Sequence, residues 1–238
     1  RDRGGENLRQ AADVFRQVLD KDPDFAPAHA GLATAYALMT VPSGSTIPFV
    51  EAQSIIRTPA VKARDLDPLL ADAHAALGWL HARDLDWSKA QTAFQEAINL
   101  NPRLTQTYTS YSVSTLRPLG KQEEALRLLR VALQNDPLSL SLQRDIGLVQ
   151  IDAGLYQEAI DTLRRVSPLE PDFPYVNEFI ARALVFAGRP GEAVRLFESM
   201  GLRARGRRNP RLVLPYVALG MRAEAEALLD GGERQAAT

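Results

Sequence analysis

The chain has 238 residues, of which 45% are hydrophobic and 24% charged, and its 28 basic and 29 acidic residues leave a formal net charge of -1. This composition is typical of a folded globular chain, and it excludes a disordered protein or one that attracts polyanions through overall charge. Cysteine is absent, and the three histidines form no HExxH motif, which excludes disulfides and thiol chemistry and predicts no metal site.

The first predicted element is a helix over 7–20 with one broad apolar stripe, formed by Leu8, Ala11, Ala12, Phe15, Val18 and Leu19. No helix that could cover this stripe precedes it in the sequence. We therefore expect residues upstream of Arg1, or a contacting molecule such as a second copy, to cover it. The opening residues lack both an initiator methionine and the apolar core of a signal peptide, which indicates a fragment of a longer protein.

Sequence landmarks then recur along the chain at a near-constant period. Prolines that are expected to stop helices are separated by 45, 34, 35 and 34 residues and are Pro23, Pro68, Pro102, Pro137 and Pro171. Alanines that precede a bulky apolar residue by one helical turn are Ala90, Ala125, Ala159, Ala193 and Ala225. Glycines stand about one turn before most of these helices, where a tight connection favours left-handed backbone angles. Each period is therefore predicted to be a helix, a short turn and a second helix.

The first helix of each period has a signature of its own, because AHAGLATAY and AHAALGWLH agree at Ala, His, Ala and Leu, and a small residue follows the central apolar one. Together these landmarks resemble the tetratricopeptide repeat, a helical hairpin of 34 residues. The resemblance implies an all-α, right-handed superhelical solenoid of antiparallel helical hairpins, with five full units and flanking half or degenerate units, in a single domain over 1–238. The expected units are a half repeat at 7–25, full repeats at 26–70, 71–104, 105–139, 140–173 and 174–209, and a degenerate hairpin at 210–230.

Three segments depart from the repeat pattern. The insertion at 41–48 is rich in Pro, Gly and Ser and is predicted to be an exposed loop. Pro59 lies inside the helix predicted over 49–66, either as a tolerated kink in a surface helix or as a bend that reshapes the binding groove. The arginine-rich segment 203–211 is interpreted as a solvated linker. No aromatic residues interleave with its arginines, so no nucleic-acid surface is predicted there.

Motifs of catalysis are missing from the sequence. It contains neither a GxxxxGK[ST] phosphate loop nor a GxSxG nucleophile motif. Paired acids such as Asp84 and Asp86 lie at predicted helix ends, where capping explains them. The equivalent residues His29 and His74 are expected to pack between helices. The sequence thus predicts no enzyme, no catalytic residue, no metal site and no cofactor, and its longest apolar stretch is too short to cross a membrane.

The resemblance implies that the first helix of each hairpin lines a concave groove. The groove residues predicted on this basis are Trp79, Arg83, Gln106, Thr109, Arg144, Leu148, Tyr175, Glu178 and Arg182. Aromatic and arginine side chains along a groove are the usual anchors for a peptide. Two alternatives stay open, since Trp79 could instead pack between repeats and the arginines could simply be solvated.

The sequence therefore predicts a non-catalytic, cytoplasmic scaffold that binds a protein or peptide. Stretches such as DLDWSKAQTAFQEAINLNPRLTQTY are also similar to C-terminal repeat arrays of bacterial signalling regulators, where the array follows a winged-helix or Ser/Thr-kinase domain. That similarity implies an upstream effector domain. The alternative is a regulatory or sensor domain whose groove binds a small molecule or the effector domain of its own chain.

Overall fold

The computed structural model describes residues 3–40, 49–170, 175–199 and 212–233. Contacts divide the chain into two units, unit 1 (Arg1–Asp136) and unit 2 (Pro137–Thr238). The division falls at Pro137, one of the prolines that the repeat pattern singles out. The single-domain organisation stays a prediction, and the insertion 41–48 and the arginine-rich segment 203–211 lie outside the described residues.

Every element assigned in the described ranges is helical, which confirms the predicted all-α class. Unit 1 contains α1 (Arg3–Lys21), α2 (Ala26–Met39), α3 (Phe49–Leu66), α4 (Ala71–Arg83), α5 (Trp87–Leu100), α6 (Thr105–Tyr111) with a π-helical turn (Ser112–Leu116), and α7 (Gln122–Asn135). Unit 2 contains α8 (Leu140–Asp152), α9 (Tyr156–Val166), α10 (Val176–Phe186), α11 (Pro190–Ser199), α12 (Val213–Ala218) and α13 (Arg222–Glu233). The helices pair in chain order as antiparallel hairpins, starting with α2 and α3.

The hairpins stack so that first helices contact first helices within each unit. In unit 1, α2 contacts α4 and α4 contacts α6, while in unit 2, α8 contacts α10 and α10 contacts α12. Within a unit, a first helix also packs against the second helix of its own hairpin and against the second helix of the hairpin before it, as α4 does with α5 and α3. The first helices of a unit therefore form one continuous layer, and this inner layer carries the predicted binding residues.

Small residues at the helix crossings allow this close packing. Phe94 is fully buried, and a Cβ added to Gly78 would lie 2.8 Å from its ring. In unit 2, a Cβ on Gly147 would lie 2.5 Å from Cγ of the buried Leu163. The predicted role of the small residues in close helix approach is therefore confirmed at both positions.

In the hairpin turns that the structure describes, a glycine adopts left-handed backbone angles, except between α4 and α5. Gly154 has φ 77° in unit 2, as expected for a residue without a Cβ. At the equivalent place between α4 and α5, Leu85 adopts φ 58° and exposes 66% of its surface. A left-handed non-glycine residue costs free energy, so this turn of unit 1 is strained.

The first helix of the repeat predicted at 105–139 does not stay α-helical to its end. From Ser112 to Gly120 the chain has one residue more than from Gly147 to Gly154. The N–H of Arg117 bonds the carbonyl of Ser112 five residues back, at 2.9 Å, so the extra residue is absorbed as a π-helical turn. The proline spacing of 35 rather than 34 is the sequence signal of this insertion.

Two further sequence expectations concern α1 and α3. α2 covers part of the apolar stripe of α1, since Ala12 is buried and Leu8, Phe15 and Leu19 pack against the same cluster. Oligomerisation through α1 stays a prediction. Helix α3 continues through Pro59, which is buried, and both interpretations of this residue stay predictions.

Candidate partner-binding surface

The inner face of α4 carries part of the predicted surface in unit 1. Asp72, Ala75 and Trp79 recur at intervals of three and four residues, which places them on one side of the helix. Trp79 is half-buried and packs at the edge of the cluster that contains Leu77 and Leu80. Both readings of Trp79 thus find support, because its ring contributes to packing between helices and also presents a free edge.

A cavity of about 40 Å³ opens beside Trp79 between the first helices of three successive hairpins. Its lining comes from α2, α4 and α6 and from the residue that precedes α6: Thr34, Ala37, Leu38, Asp72, Ala75, Ala76, Trp79, Leu104, Gln106, Thr107 and Ser110. Since roughly 10–15 Å³ suffices for one water molecule, the cavity has room for about three water-sized groups in line. Two of the predicted groove residues, Trp79 and Gln106, are brought together here.

Arg83 and Thr109, the other predicted residues of unit 1, are not part of this lining. Arg83 is half-buried at the end of α4, and its Nη1 donates a hydrogen bond to Oγ1 of Thr40. Burial lowers the pKa of Arg83, although an arginine stays charged under any ordinary condition. Arg83 therefore links the ends of two first helices, and Thr109 is half-buried on α6.

The predicted arginines of unit 2 contact neighbouring side chains. Nε of Arg144 donates to Oδ1 of the buried Asp145 at 2.9 Å. Nη2 of Arg182 lies 3.8 Å from Oδ1 of Asp152, and its guanidinium group stacks 5.2 Å above the ring of Phe179. Each of these arginines is therefore held by an ion pair, and Arg182 also by a cation–π contact.

The remaining predicted residues of unit 2 differ in their contacts and in how deeply they are buried. Tyr175 stacks on Phe179 with 6.0 Å between ring centroids and begins α10 with a left-handed φ of 65°. Glu178 is half-buried. Leu148 exposes 7% of its surface and takes part in packing rather than facing a groove. Helical periodicity predicts on which side of a helix each of these residues lies. It does not predict which of these residues are covered by neighbouring side chains.

Sequence reasoning missed Asp72 and Thr107, which line the cavity. Asp72 lies two helical turns before Trp79 on the same face, and this spacing was a usable signal. Thr107 is 1% exposed, and its Oγ1 is buried with no hydrogen-bond partner in the described part of the chain. No sequence signal distinguishes that hydroxyl from its neighbours in the segment TQTYTSYSVST.

The histidines have structural roles at the start of the first helices. Nε2 of His29 donates to the carbonyl of Pro23 at 2.9 Å, and Nε2 of His74 donates to that of Pro68 at 2.8 Å. Tyr108 makes the equivalent bond in the next hairpin, its hydroxyl donating to the carbonyl of Pro102 at 3.0 Å. In the described ranges there is no group of three or more His, Asp or Glu that could hold a metal ion. None of the helices described here combines the length and the apolar character needed to cross a lipid bilayer.

Comparison with known proteins gives one family match. Residues 71–104 match the family model of the tetratricopeptide repeat. The human antiviral innate immune response effector IFIT1 is 26% identical over 221 residues, which cover 83% of this chain and 45% of that protein. The chain spans less than half the length of the curated relatives that it matches.

Solved structures support the same fold. The structure of pilF from Pseudomonas aeruginosa has a TM-score of 0.63 at 20% identity, and the likeness covers 90% of this chain and 99% of that chain. YrrB, a TPR protein with an unusual peptide-binding site, has a TM-score of 0.55 at 16% identity, with 88% of this chain and 100% of that chain covered. Residues 71–104 are therefore a tetratricopeptide repeat, and the chain has the tetratricopeptide-repeat fold, a protein-interaction scaffold that is generally non-catalytic.

Proposed function

We propose that the chain is a non-catalytic docking module that binds a peptide segment of another protein on the inner layer of first helices in unit 1. The observation that carries the proposal is the cavity beside Trp79, to which α2, α4 and α6 all contribute. A partly exposed tryptophan next to a cavity is a typical anchor of a protein interface. The peptide-binding site reported for YrrB supports this choice of ligand.

The broader setting of this module stays predicted from the sequence. We propose a cytoplasmic location within a larger bacterial regulatory protein that has an effector domain upstream. The alternative is a sensor domain. In that case a small molecule or the effector domain of the same chain, rather than a peptide of another protein, binds to the first helices. A docking module should bind separate peptides with the isolated chain, whereas a sensor should bind a metabolite or the effector domain in preference to them.

The test is a selection of random peptides, displayed on phage, against the full chain. We expect enriched peptides to bind wild type and to lose about thirtyfold in affinity on Trp79→Ala, because truncating an anchor typically costs about 2 kcal/mol. Isothermal titration with the synthetic peptides measures the loss. Circular dichroism checks that the variant keeps its helices.

The matched control is Trp87→Ala. Trp87 is also half-buried, but it begins the second helix α5 and does not line the cavity. Peptides should bind this variant as they bind wild type. Failure to enrich any peptide, or equal affinity for the Trp79 and Trp87 variants, would contradict the proposed function.

A further inference from the structure

The residues that line the cavity beside Trp79 supply negative charge and no positive charge. Among its lining residues Asp72 carries the one charge, and no Lys, Arg or His lines it. Asp72 is half-buried, and its carboxylate has no hydrogen-bond or ion-pair partner among the residues described in the structure. Because a carboxylate that leaves water needs a compensating partner, a ligand that fills the cavity must satisfy Asp72.

The path from Asp72 to Trp79 is apolar and narrow. The two residues are two helical turns apart on α4, about 10 Å along the helix axis. Ala75 and Ala76 lie between them and line the same cavity. The lining between the carboxylate of Asp72 and the ring of Trp79 therefore consists of methyl groups.

A second acceptor belongs to a lining residue on the neighbouring helix. Thr107 of α6 lines the cavity, and its buried Oγ1 has no hydrogen-bond partner in the described ranges. A buried hydroxyl without a partner costs free energy, and a donor in the ligand would remove that cost. The carboxylate of Asp72 and this hydroxyl together present acceptors to a cationic donor.

We infer that the cavity binds a lysine or arginine side chain of the docked peptide. This inference rests on the proposed function. The aliphatic stem of the basic residue lies along Ala75 and Ala76 against the ring of Trp79, as long cationic side chains commonly do on apolar surfaces. Its charged end bonds the carboxylate of Asp72 and the hydroxyl of Thr107. A purely aliphatic side chain would fill the same volume but would leave both oxygens desolvated, and an acidic one would repel Asp72.

The experiment uses the same displayed random peptides on the full chain. Peptides selected by wild type should share a lysine or arginine at one position. Replacing that residue by norleucine, or changing the protein by Asp72→Asn, should each lower affinity about ten- to hundredfold, the range for losing a charged hydrogen bond. Asp72→Lys should select peptides with aspartate or glutamate at that position instead.

Two controls separate binding from stability. Asp20→Asn makes the same chemical change at an exposed site on α1 and should leave affinity unchanged. Thr107→Val should weaken binding of the lysine peptide, whereas Thr115→Val should not. Thr115 is also buried with an Oγ1 that lacks a partner in the described ranges, but it does not line the cavity.

The outcomes distinguish the two proposals. Peptides that need Trp79 but share no basic residue, or that bind Asp72→Asn as tightly as wild type, would overturn the basic-residue pocket and leave the docking function standing. A chain that enriches no peptide would overturn both. Equal effects of Thr107→Val and Thr115→Val on affinity would also count against the pocket.

Discussion

Helices α4 in unit 1 and α10 in unit 2 occupy equivalent places in their hairpins but use their inner faces differently. The face of α4 presents Asp72, Ala75 and Trp79 beside an open cavity. The corresponding positions near α10 hold Tyr175, Glu178 and Arg182, where aromatic stacking and an ion pair bring side chains together. One backbone scaffold thus offers an accessible surface in one unit and an internally paired surface in the other.

The packing behind these faces is the same in both units. Ala90 and Phe94 of α5 are fully buried, and so are Ala159 and Leu163 of α9. The second helices therefore supply the common hydrophobic core, while the first helices vary in chemistry. The hydrophobic core therefore depends on the second helices, whereas the proposed binding surface lies on the first helices.

The largest expected effect comes from the shared core. Phe94→Ala should lower the free energy of unfolding by about 3–5 kcal/mol and Leu163→Ala by about 2–5 kcal/mol, because each leaves a cavity at a fully buried site. Urea unfolding measures both. Val14→Ala, at a position of α1 that is 56% exposed, serves as control and should change stability by less than about 0.5 kcal/mol. A small effect at Phe94 would show that the units do not share one packing principle.

The next-largest effect compares the stability contributions of the inner faces of the two units. Arg144→Met should destabilise the chain by about 1–3 kcal/mol, because Asp145, with a side chain that is 4% exposed, loses a charged donor. Asp72→Asn in unit 1 should cost less than about 1 kcal/mol, the contribution of an acid in the first turn of a helix. Thermal melts compare the two variants. Equal losses would mean that the inner face of unit 1 is as internally paired as that of unit 2.

A smaller effect is expected at the hairpin turns. Leu85→Gly should stabilise the chain by about 1 kcal/mol, because glycine adopts the left-handed angles found there without a steric penalty. Gly154→Leu, the reverse change in unit 2, should destabilise it by a similar amount. Both are measured by urea unfolding. If Leu85→Gly has no effect, or lowers stability, the turn of unit 1 is not strained.

The smallest effect concerns acidification. Burial lowers the pKa of His81, with smaller influences from Asp86, Lys89, Asp84 and Arg57. Below about pH 6.5 the His81 side chain therefore binds a proton more readily in the unfolded chain than in the folded one. As the pH falls further, the stability of the folded chain decreases until the pH is below the folded-state pKa. His81→Gln should reduce the loss of stability between pH 7 and pH 5, as measured by urea unfolding at the two pH values.

The comparison between units provides the control for this last prediction. The residues equivalent to His81 in unit 2 are Gln150 and Leu184, whose carbonyls accept the same type of helix-ending bond and whose side chains do not titrate in this range. Gln150→Leu should leave the pH dependence as it is in wild type. An unchanged acid sensitivity in His81→Gln would contradict the assignment to His81.

Much of the fold could be predicted from the sequence, because proline, alanine and glycine landmarks mark helix ends and crossings through local sterics. The hairpin boundaries and the close approach at Gly78 belong to this group. The strained turn at Leu85 could not be predicted, since no glycine marks it. The π-helical turn after Tyr111 was encoded only as a spacing of 35 residues.

The binding surface was less predictable than the fold. Helical periodicity gives the direction of a side chain but not its neighbours, so Trp79 beside a cavity and Arg182 in an ion pair looked alike in the sequence. Leu148 was expected to face a groove and is buried for the same reason. Asp72 was overlooked because a first-turn acid is usually explained by its effect on the helix alone.

The most direct measurement is a fluorescence titration that reports on Trp79 itself. The chain has two tryptophans, so Trp79 is the one tryptophan that remains in the Trp87→Phe variant. If peptides dock on the inner face of unit 1, a selected peptide should shift the Trp79 emission and saturate at the dissociation constant found by calorimetry. Calorimetric binding with unchanged Trp79 emission would place the peptide elsewhere and contradict the account.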